Sequence, residues 1–242
     1  DVAWYRKTFE IPPEVRNQRI HLEFDGIYRG ATIWINGHLA GSHLSGYTSF
    51  SLDVTELCDP SECNAIAIRC DAQEFELWSY EGGGIYRDVR LVVSDELHVP
   101  YSGTYIRSTF PDETDLNKVQ IELQAQIHNA GKDDSEALVI FKIFENTGYS
   151  PVYESSQSSQ IAAGAKTIIN HHLNLAQPKL WSVTTPNLYR LETHIQVEGK
   201  SMDVYHSQFG VRSIRFDADK GCFLNGESIK LKGVCNHQDH AG

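Results

Sequence analysis

Residues 31–40 read ATIWINGHLA, and they decide the fold. Ala31, Ile33 and Ile35 alternate with Thr32, Trp34 and Asn36, the period of a strand that buries one face. Asn36-Gly37 follows, a pair that tolerates the left-handed backbone of a two-residue hairpin, and HLAGSHL (38–44) supplies a return strand. Outward from there the rhythm persists. RIHLEF (19–24) sets Ile20, Leu22 and Phe24 on one face, and SFSLDVT (49–55), NAIAIRC (64–70) and YRDVRLVVSD (86–95) follow at short intervals. Nothing in this half keeps apolar residues at i, i+3, i+4 and i+7 through three helical turns. Short strands punctuated by Gly, Asn and Pro describe an antiparallel sandwich.

ELHVPYSG (96–103) reads as a crossing between domains. Beyond it, NKVQIELQAQIHN (117–129) alternates through Val119, Ile121, Leu123, Ala125 and Ile127. ALVIFKIFE (137–145) is apolar on both faces, as in a central buried strand. The Ser- and Gln-rich run 148–164 reads as an exposed loop, and KTIINHHLNL, LYRLETHIQV and SMDVYHSQFGVRSI (166–214) supply further strands. About seven strands in this half suit an immunoglobulin-like sandwich, without the Cys…Trp…Cys spacing of antibody domains. FDADKGCFLNGESIKLKGV (216–234) is then a hairpin around Asn225-Gly226 followed by an alternating strand, too short to be a domain.

Composition narrows the function. The 242 residues carry a formal charge of −11, a surface that repels phosphate backbones and anionic membranes, so neither nucleic acid nor membrane is expected as a partner. No run approaches the roughly 20 apolar residues of a bilayer span. The chain opens at Asp1 with no Met or signal-like segment, and reads as a processed or excised piece. Five cysteines leave at least one unpaired and show no zinc spacing; free thiols favour the cytoplasm over the periplasm or secretion.

Three stretches invite chemistry. LWSYEGGGIYRD (77–88) joins three glycines to Trp78, Tyr80, Glu81 and Tyr86. It lacks the Gly-Lys-Ser/Thr of a phosphate loop, leaving a tight packed turn or an aromatic sugar site as equal readings. His171-His172 sit on opposite faces of one strand and cannot chelate together. NHQDH (236–240) follows an alternating strand directly, where barrel strands place active-site groups, while its His237, Asp239 and His240 match no strong metal spacing.

Five blocks in order, WYRKTFEIP (4–12), FDGIYRGATIWINGHLAGSHLSGYTSFSLDVT (24–55), GGGIYRDVRL (82–91), LWSVTTPNLYRLET (180–193) and FGVRSIRFDADKGCFLNGESIKLKGVCNHQDH (209–240), resemble glycoside hydrolase family 2. The resemblance implies an all-β chain: a jelly-roll sugar-binding-type domain at 1–97, an immunoglobulin-like sandwich at 98–213, and the start of a truncated (β/α)8 catalytic barrel at 214–242. It implies a retaining β-galactosidase-like parent, with β-glucuronidase, β-mannosidase or a non-enzymatic carbohydrate-binding module as alternatives. The parent's two catalytic glutamates lie on later barrel strands, so none is expected here and the chain alone should be inactive. Gly233-Val234-Cys235-Asn236-His237 aligns with the end of the first barrel strand, which makes His237 a sugar contact, with Asn236 beside it. In some members a carboxylate from the first domain reaches the barrel site; Asp71, Glu74 and Glu76 are the candidates. No cofactor or metal is expected within 1–242, while the resemblance leaves room for a divalent cation and for a homo-oligomer in the parent.

Overall fold

The computed structural model describes residues 2–15, 18–73 and 82–235. It is all-β and divides into two compact units, one reaching to Asp95 and one spanning Glu96–Gly233.

The first unit holds β1 (Val2–Phe9), β2 (Arg19–Phe24), β3 (Ile27–Tyr28), β4 (Ala31–Ile35), β5 (His38–His43), β6 (Phe50–Asp53), β7 (Asn64–Asp71), β8 (Gly84–Ile85) and β9 (Val89–Ser94). A four-stranded sheet runs β1-β7-β4-β5, a three-stranded one β6-β2-β9, and β3 pairs with β8. Alternation is what closes them on each other. Ile33, Ile35, Ile66 and Ile68 from the first sheet and Ile20, Leu22 and Phe24 from the second share one buried cluster. The hairpin at Asn36-Gly37 forms as read, with φ of +51° and +85°, the two positive angles of a type I′ turn.

The second unit holds β10 (Leu97–His98), β11 (Thr104–Thr109), β12 (Lys118–Asn129), β13 (Ser135–Glu145), β14 (Tyr153–Ile161), β15 (Lys166–Ala176), β16 (Tyr189–Val197), β17 (Lys200–Phe209), β18 (Ile214–Asp217), β19 (Gly221–Leu224) and β20 (Glu227–Ile229). One sheet sets β10 and β11 along one edge of β12 and β15 along the other; the facing sheet runs β14-β13-β16-β17. Their inner faces meet in a core containing Leu123, Ile127, Phe141, Ile143, Leu191 and Ile195. β13 is internal, as its apolar faces required.

Two expectations change. The run 148–164 is a loop only at 148–152 and 162–164: Tyr153–Ile161 is β14, laddered on β13 from Ser135↔Ile161 to Ile143↔Tyr153. An edge strand takes its order from backbone pairing with one neighbour, so serine and glutamine suffice for it. The alternating run after Asn225-Gly226 forms a strand only to Ile229. Residues 230–235 lie outside any strand, with Leu231 72% and Val234 93% exposed; alternation without a pairing partner among the described residues gives no ladder. The β18-β19-β20 sheet is anchored by Asn225, whose side chain donates to the Trp181 carbonyl at 2.9 Å and accepts from the Ser213 amide at 3.0 Å.

His171 and His172 diverge as expected. His171 faces inward, its Nε2 2.6 Å from the Tyr153 hydroxyl and 2.9 Å from Ser155 Oγ, and it stacks on Phe141; His172 is exposed. Burial, then the charge of His172, lowers the His171 pKa from its ordinary 6.5. The unfolded chain therefore binds the proton more readily, so this contribution to stability is complete above about pH 6.5 and is lost as pH falls through that value towards the folded pKa. Urea midpoints of the chain should drop between pH 7 and pH 5, and His171→Gln should flatten that slope. Equal slopes in both proteins would remove His171 as the cause.

Candidate functional site

The end of the first sandwich where β7 ends at Asp71 and β8 begins at Gly84 is built from glycine–aromatic contacts. β3 and β8 bring the two sides together, Ile27 opposite Ile85 and Tyr28 opposite Gly84. Gly84, at φ +118°, lies so close to the Tyr5 hydroxyl that a Cβ would stand 2.1 Å from it. Tyr86 occupies the space a side chain at Gly26 would need and donates its hydroxyl to the Gly46 carbonyl at 2.8 Å. Gly46 in turn abuts the buried Tyr28 ring, which Tyr47 approaches at 5.5 Å between centroids and Arg29 at 5.8 Å. Tyr47 and Tyr86 remain exposed at the rim, and Arg87 lies over the Tyr86 ring. The packed-turn reading of the glycine run therefore holds for Gly84 and Tyr86; Trp78, Tyr80 and Glu81 lie outside the described residues.

Asp71 closes β7 beside this rim. Its amide donates to the Arg29 carbonyl at 2.9 Å, and its carboxylate accepts from the Gln73 amide at 3.1 Å and from Arg69 Nη2 at 2.7 Å. The Gln73 amide first, then Arg69, holds the carboxyl below the usual carboxylate range. Asp71 is thus an ionised acceptor at neutral pH, fit to bind hydroxyls and unfit to act as a general acid. It lines an open groove of about 480 Å³ with Arg29, Gly30, Thr32, Ser42 and Arg69. Gly30 is required there: φ is +53°, and a Cβ would meet the Asp71 carbonyl at 2.9 Å.

Glu23 is a described carboxyl whose pKa burial raises, against Arg90 and assisted by Asp25. It belongs to an ion-pair cluster in which Arg90 also meets Asp25 and Asp88, on the outward positions of β2 and β9. Among the described residues, no cluster of three His, Cys, Asp or Glu has metal-binding geometry.

Of the candidates read from sequence, Asp71 is placed in the groove, whereas Glu74, Glu76, Asn236 and His237 lie outside the described residues. Tyr28, Arg29, Tyr47 and Arg69 were not singled out. Tyr28 and Tyr47 had a local signal, a glycine within two positions of each ring in YRG (28–30) and in SGY (45–47), whereas Arg29 and Arg69 had none.

Residues 101–212 match Glycosyl hydrolases family 2, and residues 1–79 match Glycosyl hydrolase 2 galactose-binding domain-like. The chain is 35% identical over 240 residues to Beta-galactosidase BoGH2A of Bacteroides ovatus, covering 98% of this chain and 28% of that protein. It is 28% identical to a Beta-glucuronidase of Bacteroides fragilis, covering 98% of this chain and 35% of that one. A solved glycosyl hydrolase family 2 member from Bacteroides cellulosilyticus superposes at a TM-score of 0.89 with 32% identity, over 98% of this chain and 32% of that structure. The chain thus spans roughly a quarter to a third of the length of these relatives. Two adjacent domain matches, and a fold shared across nearly every residue, place the chain in glycoside hydrolase family 2.

Proposed function

We propose that the chain supplies the two N-terminal sandwiches of a retaining glycosidase that removes terminal β-D-galactosyl groups. Catalysis in that protein falls to a barrel carrying an acid and a nucleophile about 5 Å apart. The observation that carries the galactoside reading is the 35% identity to a protein named β-galactosidase across 98% of this chain. A β-glucuronidase is the second reading, favoured by the relatives so named at 28–29% identity. In either case the ionised Asp71, fixed by Arg69 and Gln73, suits hydroxyl binding and not proton donation.

The test compares this chain with the full-length protein on nitrophenyl β-galactoside, β-glucuronide and β-mannoside. The full-length protein should turn over the galactoside with the largest kcat/KM, and the chain alone should turn over none. Preference for the glucuronide would transfer the assignment to the second reading. Turnover by the purified chain, abolished by a substitution within it, would overturn the division of labour.

A further inference from the structure

The β14-β13-β16-β17 sheet of the second unit ends differently at its two edges. The β17 edge is covered. The Val99 amide donates to the Asp203 carboxylate at 2.8 Å, the Ser102 amide donates to the Tyr205 hydroxyl at 3.1 Å, and Thr104 Oγ1 meets Ser207 Oγ at 2.7 Å. A β-bulge between Ile195 and Gln196 also breaks the ladder that leads to it. β14, at the other edge, has β13 on one side and no strand on its outer side among the described residues. Proteins usually blunt such an edge with Lys, Pro, a bulge or a covering segment, because its free N–H and C=O groups template pairing with another strand. β14 carries no Lys, no Pro and no bulge. It reads YESSQSSQI over Tyr153–Ile161 with an unbroken register on β13, and its one charge, Glu154, is held by Lys142 of β13 at 3.3 Å.

That edge fits a second copy of itself. Ser156, Gln157, Ser158 and Gln160 are exposed. An antiparallel pairing centred on Gln157 lays SSQSS against SSQSS: Gln157 opposite Gln157 of the second copy, Ser156 opposite Ser158, and Ser155 opposite Ser159. Further out, Glu154 faces Gln160, whose amide donates to carboxylates, and Tyr153 faces Ile161. Residues directly opposite share a face of the sheet, so hydroxyl meets hydroxyl, amide meets amide and apolar meets apolar. The two Glu154 carboxylates stand roughly 20 Å apart along the strands, and no like charges oppose. β15, which follows β14 in the chain and ends the facing sheet, reads KTIINHHLNLA and has no such symmetry. A two-fold contact of this kind closes on itself. Each β14 edge is used up by the other, the two four-stranded sheets become one of eight, and its outer ends are the covered β17 edges.

We propose that β14 is a self-association edge, pairing antiparallel with β14 of a second copy of this chain about a two-fold axis at Gln157. Main-chain hydrogen bonds supply the attraction and the matched serine and glutamine pairs set the register. The contact is small, so the dimer is weak and in exchange with the monomer.

The test is sedimentation equilibrium of this chain from micromolar to millimolar concentration, with reductant present to keep the exposed Cys63 from bridging copies. The average mass should climb from that of one chain towards that of two and stop there. Gln157→Lys and Gln157→Glu each set two like charges opposite one another on the axis, and each should weaken association roughly fivefold. An equimolar mixture of the two variants should recover it, in pairs holding one of each. Both substitutions lie at an exposed position, so thermal midpoints should stay within a degree or two of the parent chain. A chain that remains monomeric throughout, or that grows past the dimer, would overturn the proposal. So would association that Gln157→Lys leaves unchanged, or a mixture that associates no better than either variant alone.

Discussion

Phe141→Ala should lower the stability of the Glu96–Gly233 unit by about 3–5 kcal/mol, a drop of roughly 10–20 °C in its melting temperature at this size. Phe141 is 1% exposed, on the central strand β13. Its ring packs among the core residues of both sheets and stacks on His171 at 5.6 Å and 20°. Truncation removes the transferred apolar area and leaves a cavity that two hydrogen-bonded sheets cannot collapse into. It also uncovers one face of an imidazole held by Tyr153 and Ser155. Phe141→Leu, which refills much of the space, should recover more than half of the loss. A calorimetric transition for this unit within 3 °C of the parent's would show that Phe141 is not central to the core.

That core was legible because burial of one face writes a period of two into the sequence. β2, β4 and β12 place every residue of one parity inside, and their positions follow from that alternation of apolar residues. β14 was not legible, because an edge strand needs only a ladder to one neighbour and YESSQSSQI carries little of the core. β1 hides for a related reason: Trp4, Tyr5, Arg6, Lys7 and Thr8 are all exposed, so apolar and polar residues cease to report inside and outside. The turn Glu198-Gly199, with φ of +50° and +78°, makes the same hairpin as Asn36-Gly37 without the asparagine that announces it. The groove was legible only at Asp71. Its partners Arg29, Thr32 and Ser42 lie 42, 39 and 29 positions before it, and their meeting depends on pairing registers that no local pattern encodes.

His237→Ala in the full-length glycosidase should lower kcat/KM by on the order of 10². The expectation comes from the alignment of Gly233-Val234-Cys235-Asn236-His237 with the end of the family's first barrel strand, where a histidine contacts sugar hydroxyls. His237 itself lies outside the described residues. A hydrogen bond to a hydroxyl that tightens as the sugar ring flattens towards an oxocarbenium ion acts mainly in the transition state, so the loss should fall on kcat more than on KM. The resemblance to glycoside hydrolase family 2 implies Asn and Arg at this position, where this chain has Cys235 and Asn236. Cys235→Asn with Asn236→Arg therefore asks whether the altered rim selects substrate: it should shift the ratio of galactoside to glucuronide turnover, since an added guanidinium favours a carboxylate on the sugar. His237→Gln, which preserves a donor, should recover part of the kcat deficit. Full activity in His237→Ala would remove this histidine from the sugar-binding set.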